Sequence, residues 1–246
     1  MPTTRPMLSS PLVRQWRALA CGMLLVAPIL AHGQSAVSTV VAFSSSAPNG
    51  GIVVGGDGGY YGTTSSSSTI TGGLIYRVSS DGTLVKTIYQ LSNTEAYAPL
   101  AGLLVGSDGV LYGTTSLGAV GVEPSTAGTV FSIRTDGKGF TILHKFAPVT
   151  ASNVNQNPIN VDGAYPETAL IEGSDGFLYG VTRAGGPNGT GAVFKVSRDG
   201  TSFKLLHAFA PVTSDANAAV PVNLDGAAPI GVLLQGADGF LYGTTS

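Results

Sequence analysis

The side chains best suited to chemistry in this 246-residue chain are its acids, and there are 14 of them. Six, Glu95, Glu123, Asp162, Glu167, Asp215 and Asp225, fall in stretches rich in Asn, Gly and Pro, beside Asn153, Asn155, Asn157, Asn160, Asn217 and Asn223. Carboxylate and amide oxygens are hard ligands for a cation such as calcium and good acceptors for sugar hydroxyls. The same residue types also build turns in long loops with no ligand present. Two of the loops repeat, as Ala147-Pro148-Val149-Thr150 and Ala210-Pro211-Val212-Thr213, which favours turn building. No stretch has the alternating acids of a calcium loop, so no cofactor is expected and calcium is the one candidate. Two facing carboxylates could instead cleave a glycosidic bond, an outcome decided by their separation; Glu95, Glu123 and Glu167 are the acids for that reading.

Other catalytic constellations lack support. His144 and His207 occupy equivalent positions, where Tyr89 and Val41 stand in other copies of the same pattern, so the position reads as packing on an outer strand. The only Cys is Cys21, and no histidine pair has metal-ligand spacing. The Gly-rich run from Gly185 to Gly191 lacks the Lys-Ser/Thr ending of a phosphate loop. No catalytic residue is assigned, and the chain is expected not to be an enzyme.

The elements that must position these loops repeat along the chain. Four segments align: Gly56-Asp57-Gly58-Gly59-Tyr60-Tyr61-Gly62-Thr63-Thr64, Ser107-Asp108-Gly109-Val110-Leu111-Tyr112-Gly113-Thr114-Thr115, Ser174-Asp175-Gly176-Phe177-Leu178-Tyr179-Gly180-Val181-Thr182 and Ala237-Asp238-Gly239-Phe240-Leu241-Tyr242-Gly243-Thr244-Thr245. Each opens a set of short apolar runs separated by Asp-Gly, a good hairpin signal because Gly takes the positive φ of the turn. Four such strands per unit, in units some 50–65 residues apart, predict an all-β, β-propeller-like array of four-stranded antiparallel blades. The blades are expected at about 51–91, 102–146 and 169–209, with half a blade at 230–246 and an isolated fourth strand at 38–43. Three and a half blades leave an open edge, to be covered by a C-terminal continuation or by an edge-strand partner. A Gly inside a strand marks close approach, so Gly62, Gly113, Gly180 and Gly243 are expected to make room for aromatics, with Phe131 and Phe194 as fillers.

The phrases Leu111-Tyr112-Gly113-Thr114-Thr115, Gly128-Thr129-Val130-Phe131, Asp136-Gly137, Leu143-His144-Lys145-Phe146 and Asp162-Gly163-Ala164 resemble the GloVer tandem-repeat family over about residues 38–246. That resemblance implies an exported, propeller-like bacterial protein with a variable surface anchor, and it implies no activity that can be assigned to a residue.

Residues 1–33 have the layout of a secretory signal peptide. Arg5, Arg14 and Arg17 precede an uncharged apolar stretch from Ala18 to Ala31, and Ala31-His32-Gly33 offers a cleavage site before Gln34. The mature domain, 34–246, is then free of Cys and more acidic than the whole chain, whose 12 basic residues already fall short of its acids. No nucleic-acid footprint and no membrane span in the mature chain is visible. In an up-and-down blade the short Asp-Gly turns share one end of the strands, whereas the connections of variable length share the other. Binding usually resides on variable loops. The expected function is a secreted, cell-surface or periplasmic repeat scaffold, non-enzymatic, binding a polysaccharide or an envelope protein through its loop face or serving a surface-structural role. A polysaccharide-active enzyme using loop-face carboxylates is the alternative.

Overall fold

The computed structural model describes residues 23–26, 38–42, 46–66, 71–92, 94–118, 126–149, 151–152, 157–212, 223 and 225–246. Strand β1 (Met23–Val26) pairs antiparallel with β2 (Ser38–Ala42). A first four-stranded sheet follows, in the order β3 (Ser46–Val54), β4 (Tyr60–Ser66), β5 (Thr71–Val78) and β6 (Val85–Ser92). A second runs through β7 (Leu104–Val105), β8 (Leu111–Thr115), β9 (Thr129–Ile133) and β10 (Thr141–Lys145). The long connection after it carries a small hairpin of β11 (Ala151–Ser152) and β12 (Pro158–Ile159). The third sheet comprises β13 (Ile171–Glu172), β14 (Leu178–Thr182), β15 (Ala192–Val196) and β16 (Phe203–Ala208). Last comes a two-stranded sheet of β17 (Leu234–Gln235) and β18 (Leu241–Tyr242).

All pairings within these sheets are antiparallel between sequence neighbours. The all-β array of four-stranded blades expected from the sequence is therefore present. The N-terminal strand differs in its partner. Ser38–Ala42 pairs with Met23–Val26, which the sequence reading places inside the signal peptide. An apolar run such as Met-Leu-Leu-Val suits a strand as well as a leader, and periodicity alone does not separate the two. Phe43 lies outside the described residues.

Alternation along β8 puts Leu111, Gly113 and Thr115 on one side and Tyr112 and Thr114 on the other, yet all five are buried. Both faces are covered because the sheets stack. Leu111, Phe131 and Ile133 of the second sheet pack with Tyr61, Ile75 and Leu91 of the first. Its opposite face, with Tyr112, Val130 and Leu143, packs with Leu170, Leu178 and Phe194 of the third. The core thus lies between blades, and each inner strand belongs to two halves of it.

Three of the four glycine slots, at Gly62, Gly113 and Gly180, hold an aromatic as the sequence suggests, and the fourth, at Gly243, does not. Gly62, Gly113 and Gly180 stand directly across the ladder from Tyr76, Phe131 and Phe194. A Cβ at Gly113 would lie 2.5 Å from Phe131 Cζ, and one at Gly180 would lie 2.6 Å from Phe194 Cζ. A Cβ at Gly62 would meet the Tyr76 ring. Gly243 has only Leu233 Cδ2 nearby, at 2.9 Å.

Candidate functional site

At one end of the blades the Asp-Gly turns form a repeated clamp. Gly109 has φ +77° and Gly176 +76°, whereas the preceding aspartates stay at negative φ, the geometry of a type I turn closed by a left-handed Gly. One Asp oxygen accepts the backbone N–H two residues on, as Val110 N to Asp108 Oδ1 at 3.1 Å. The other accepts a tyrosine hydroxyl four residues on: Tyr61 to Asp57 at 2.9 Å, Tyr112 to Asp108 at 2.8 Å, Tyr179 to Asp175 at 2.7 Å and Tyr242 to Asp238 at 2.6 Å. Burial pushes the Asp175 carboxyl up, but the Tyr179 hydroxyl, the Phe177 N–H and Lys195 together hold it below the usual range. Burial and the Asp108 bond push the Tyr112 hydroxyl well up, so it stays a donor. The sequence displays the constant Asp-to-Tyr spacing, and the structure supplies its reason. Neighbouring turns are tied together as well: Glu172 accepts Ser107 N at 2.7 Å and Ser107 Oγ at 2.8 Å, with Arg198 Nη1 3.1 Å away.

The other end carries the variable connections, and each enters the next blade through a fixed joint. Ala98, Tyr165 and Ala228, each just before a proline, have φ of 56°, 59° and 45°, a conformation costly for a side-chain-bearing residue. Each donates its N–H into the preceding blade, to Gly72 O, Ala127 O and Thr190 O at 3.0, 2.8 and 2.8 Å. The proline then packs on a glycine of that blade, Pro99 on Gly73, Pro166 on Gly128 and Pro229 on Gly191.

Four residues before each of these prolines stands a candidate acid. Asp162 accepts His144 Nε2 at 2.9 Å and Ala147 N at 3.0 Å. Asp225 repeats this with His207 Nε2 and Ala210 N, both at 2.8 Å. Glu95 takes the same place in the first connection and accepts the Tyr89 hydroxyl at 3.4 Å. Tyr89, His144 and His207 are the equivalent outer-strand residues, so three of the six candidate acids form one staple used three times. Asn160 completes the second copy, donating from Nδ2 to Ala147 O at 2.8 Å while its Oδ1 accepts Gly163 N and Gly186 N at 2.9 and 2.8 Å. Counting back from the proline reveals the match, whereas counting forward across loops of unequal length hides it.

Glu167 stands apart. It follows Pro166, where the other blades place Asn49, Leu100 and Ile230. Its Oε2 is 2.9 Å from Arg183 Nε, and its Oε1 accepts Ser116 Oγ at 3.2 Å. It lines a cavity of about 280 Å³ together with Gly51 of β3 and with Ala101, Thr168 and Ile230, from the segments that lead into β7, β13 and β17. Thr168 Oγ1 is buried there with no hydrogen-bond partner. Of the remaining candidates, Glu123 and Asp215 lie outside the described residues, as do Asn153, Asn155 and Asn217. Among the described residues no three His, Cys, Asp or Glu side chains gather as a metal site, and no helix is long and apolar enough to cross a membrane.

The Gloeobacter/Verrucomicrobia repeat matches residues 30–246. Among solved structures the chain is similar to one described as a nidogen/laminin complex, at 15% identity and a TM-score of 0.50, covering 87% of this chain and 62% of that one. It is also similar to a protein of unknown function from Dyadobacter fermentans DSM 18053, at 13% identity and a TM-score of 0.43, over 80% of this chain and 60% of that one. The chain thus spans less than two thirds of either. The first likeness bears on the fold alone, a β-propeller-like array. No curated protein matches.

Proposed function

Because the chain belongs to the Gloeobacter/Verrucomicrobia repeat family, we propose that it is an exported, non-enzymatic repeat scaffold whose loop face binds a polyhydroxylated ligand around Glu167. The observation that carries the reading is the contrast among the acids of that face. Glu95, Asp162 and Asp225 serve one repeated staple, and a side chain spent on holding a loop is poorly placed to be a nucleophile or a general acid. Among the candidate acids that the structure describes, Glu167 is the one that breaks the repeat, and it does so at a cavity with a buried, unpartnered hydroxyl. Carboxylate, guanidinium and hydroxyl groups around a recess of small residues suit a polyol, which both donates and accepts.

Two measurements test the two parts of the proposal. Expression of the intact chain in a Gram-negative host, with fractionation and N-terminal sequencing, tests export. A product outside the cytoplasm that begins at Gln34 is expected, and an uncleaved cytoplasmic product overturns this part. A thermal-unfolding screen against a panel of polysaccharides tests binding. At least one should raise the midpoint by several degrees, and Glu167→Gln should remove the rise. A folded chain that no polysaccharide stabilises overturns the binding part.

A further inference from the structure

The third blade departs from the repeat at four positions whose side chains lie together. Glu167 is the first of them. Arg183 stands where the other copies have Ser65, Ser116 and Ser246, Thr168 where they have Gly50, Ala101 and Gly231, and Tyr165 where they have Ala47, Ala98 and Ala228. The joint between the second and third blades, both complete four-stranded sheets, brings them into reach. Arg183 N donates to Tyr165 O at 3.1 Å, and the guanidinium carbon of Arg183 lies 5.8 Å from the centre of the Tyr165 ring. Arg183 Nε is 2.9 Å from Glu167 Oε2. From the second blade Ser116, which keeps the serine of the repeat, donates to Glu167 Oε1 at 3.2 Å.

Closing the joint does not require these side chains, because the other copies close it with alanine, glycine and serine. The ion pair adds little to the fold either. Its side chains are 46% and 26% exposed, and solvent screens such pairs to a small net stabilisation. Thr168 brings a hydroxyl that is buried without a partner, at a position where the other copies have no polar side chain. A buried hydroxyl of this kind is destabilising until something bonds to it. Glu167 and Thr168 line the same cavity. The carboxylate oxygens of Glu167 keep lone pairs beyond those used by Ser116 and Arg183, and a guanidinium carries four donors besides the one on Nε. The Tyr165 ring behind that guanidinium favours one placement of it.

We propose that Glu167, Thr168 and Arg183 form one subsite for an uncharged sugar unit bearing two adjacent hydroxyls, with Tyr165 as the positioning residue behind Arg183. The carboxylate takes a hydrogen from one hydroxyl, the guanidinium gives one to its neighbour, and the Thr168 hydroxyl does either. The charges of Glu167 and Arg183 cancel, so the carboxylate of a uronic acid or the ammonium of an amino sugar meets its own sign beside the opposite one. At longer range the 14 acids of the chain outnumber its 12 bases and give a polyanion no added attraction. The inference rests on the loop-face reading and deepens it, by fixing the charge of the sugar and naming the residues that join Glu167.

Native electrophoresis of the purified chain tests this, through gels containing a soluble β-glucan, a galactomannan, a xylan or, for contrast, polygalacturonate. At least one neutral polymer should retard the chain, and polygalacturonate should not. Arg183→Ser, which installs the residue of the other copies, should weaken the retardation about tenfold, as loss of a bond from a charged group does, and Thr168→Ala and Tyr165→Ala about fivefold. Arg134→Ser, which removes an exposed cation from a turn, should bind like the parent. Unfolding midpoints of all four variants should stay within a few degrees of the parent's. Retardation that Glu167→Gln removes but Arg183→Ser leaves intact overturns this inference while the loop-face reading stands, and so does retardation by polygalacturonate alone. An Arg183→Ser chain that no longer unfolds cooperatively marks the pair as a structural bridge and overturns it as well. A folded chain that none of the polymers retards overturns both.

Discussion

The pentapeptide Leu-Tyr-Gly-Thr-Thr occurs twice, at 111–115 and at 241–245, and the two copies live in different states. In the second blade all five residues are buried and all five belong to a strand. In the fourth sheet only Leu241 and Tyr242 form a strand, and Tyr242 is 52% exposed against 2% for Tyr112. Local preference is identical, so the difference lies in what flanks the strand. Leu111–Thr115 has a ladder on each side and a stacked blade on each face. Leu241–Tyr242 has one ladder, and Gly243 faces an empty slot. Strand propensity here is a property of the neighbours. The part of the motif that survives without them is the turn, since Tyr242 still donates to Asp238 at 2.6 Å.

The largest expected effect removes what distinguishes the two copies. Phe131→Ala should cost about 3–5 kcal/mol, because the ring is fully buried between blades, and chemical denaturation measures it. Gly113→Val comes next. It would press on Phe131 and on Leu103 Cδ2, 2.9 Å from the new Cβ, and overpacking of this kind costs about 1–3 kcal/mol. The matching Gly243→Val should stay within about 0.5 kcal/mol, as surface changes do. Equal losses at the two glycines would break the comparison. Tyr112→Phe should cost about 1 kcal/mol by leaving Asp108 short of a half-buried donor, whereas Tyr242→Phe should shift the unfolding midpoint by less.

The smallest effect is on the acid limb. Asp81 and Asp199, on the exposed third turns, are held down to about 2, in each case chiefly by a serine hydroxyl (Ser79, Ser197), then by the N–H and hydroxyl of a threonine two residues on. A carboxyl whose folded value is depressed stabilises the fold fully above its unfolded value, and that contribution fades as the pH falls from about 4 towards 2. The midpoint of Asp81→Asn should accordingly fall less steeply with acid than that of the parent. Exposure keeps the effect small, because solvent screens such turns.

Hairpin chemistry was legible in the residues themselves. Asp-Gly marks the turns, and a strand glycine opposite an aromatic marks the slots, because both depend on a few neighbouring positions. The clamp was half legible: the fixed spacing from Asp108 to Tyr112 is visible, but the bond requires knowing that the tyrosine leans back over the turn. The staple of Glu95, Asp162 and Asp225 was hidden by loops of unequal length. Sequence pattern likewise gave no sign that Ala98, Tyr165 and Ala228 hold positive φ, since the strain is imposed by hydrogen bonds from another blade. The short β11–β12 pair and the pairing of Met23–Val26 with Ser38–Ala42 depend on contacts that weak local patterns do not specify.

The joint before each proline makes the protein a modular mount. Entry into a blade is set by the stretch from the stapled acid to the proline, Asp162 to Pro166 or Asp225 to Pro229, and this stretch takes its geometry from the blade it leaves. Length added upstream of it should leave the entry of the next blade unchanged. Foreign peptides grafted between Ser152 and Asn157, in the connection from the second blade to the third, should therefore be displayed without disturbing the stack, and the spacing between two grafts would be fixed by the blades rather than by the inserts.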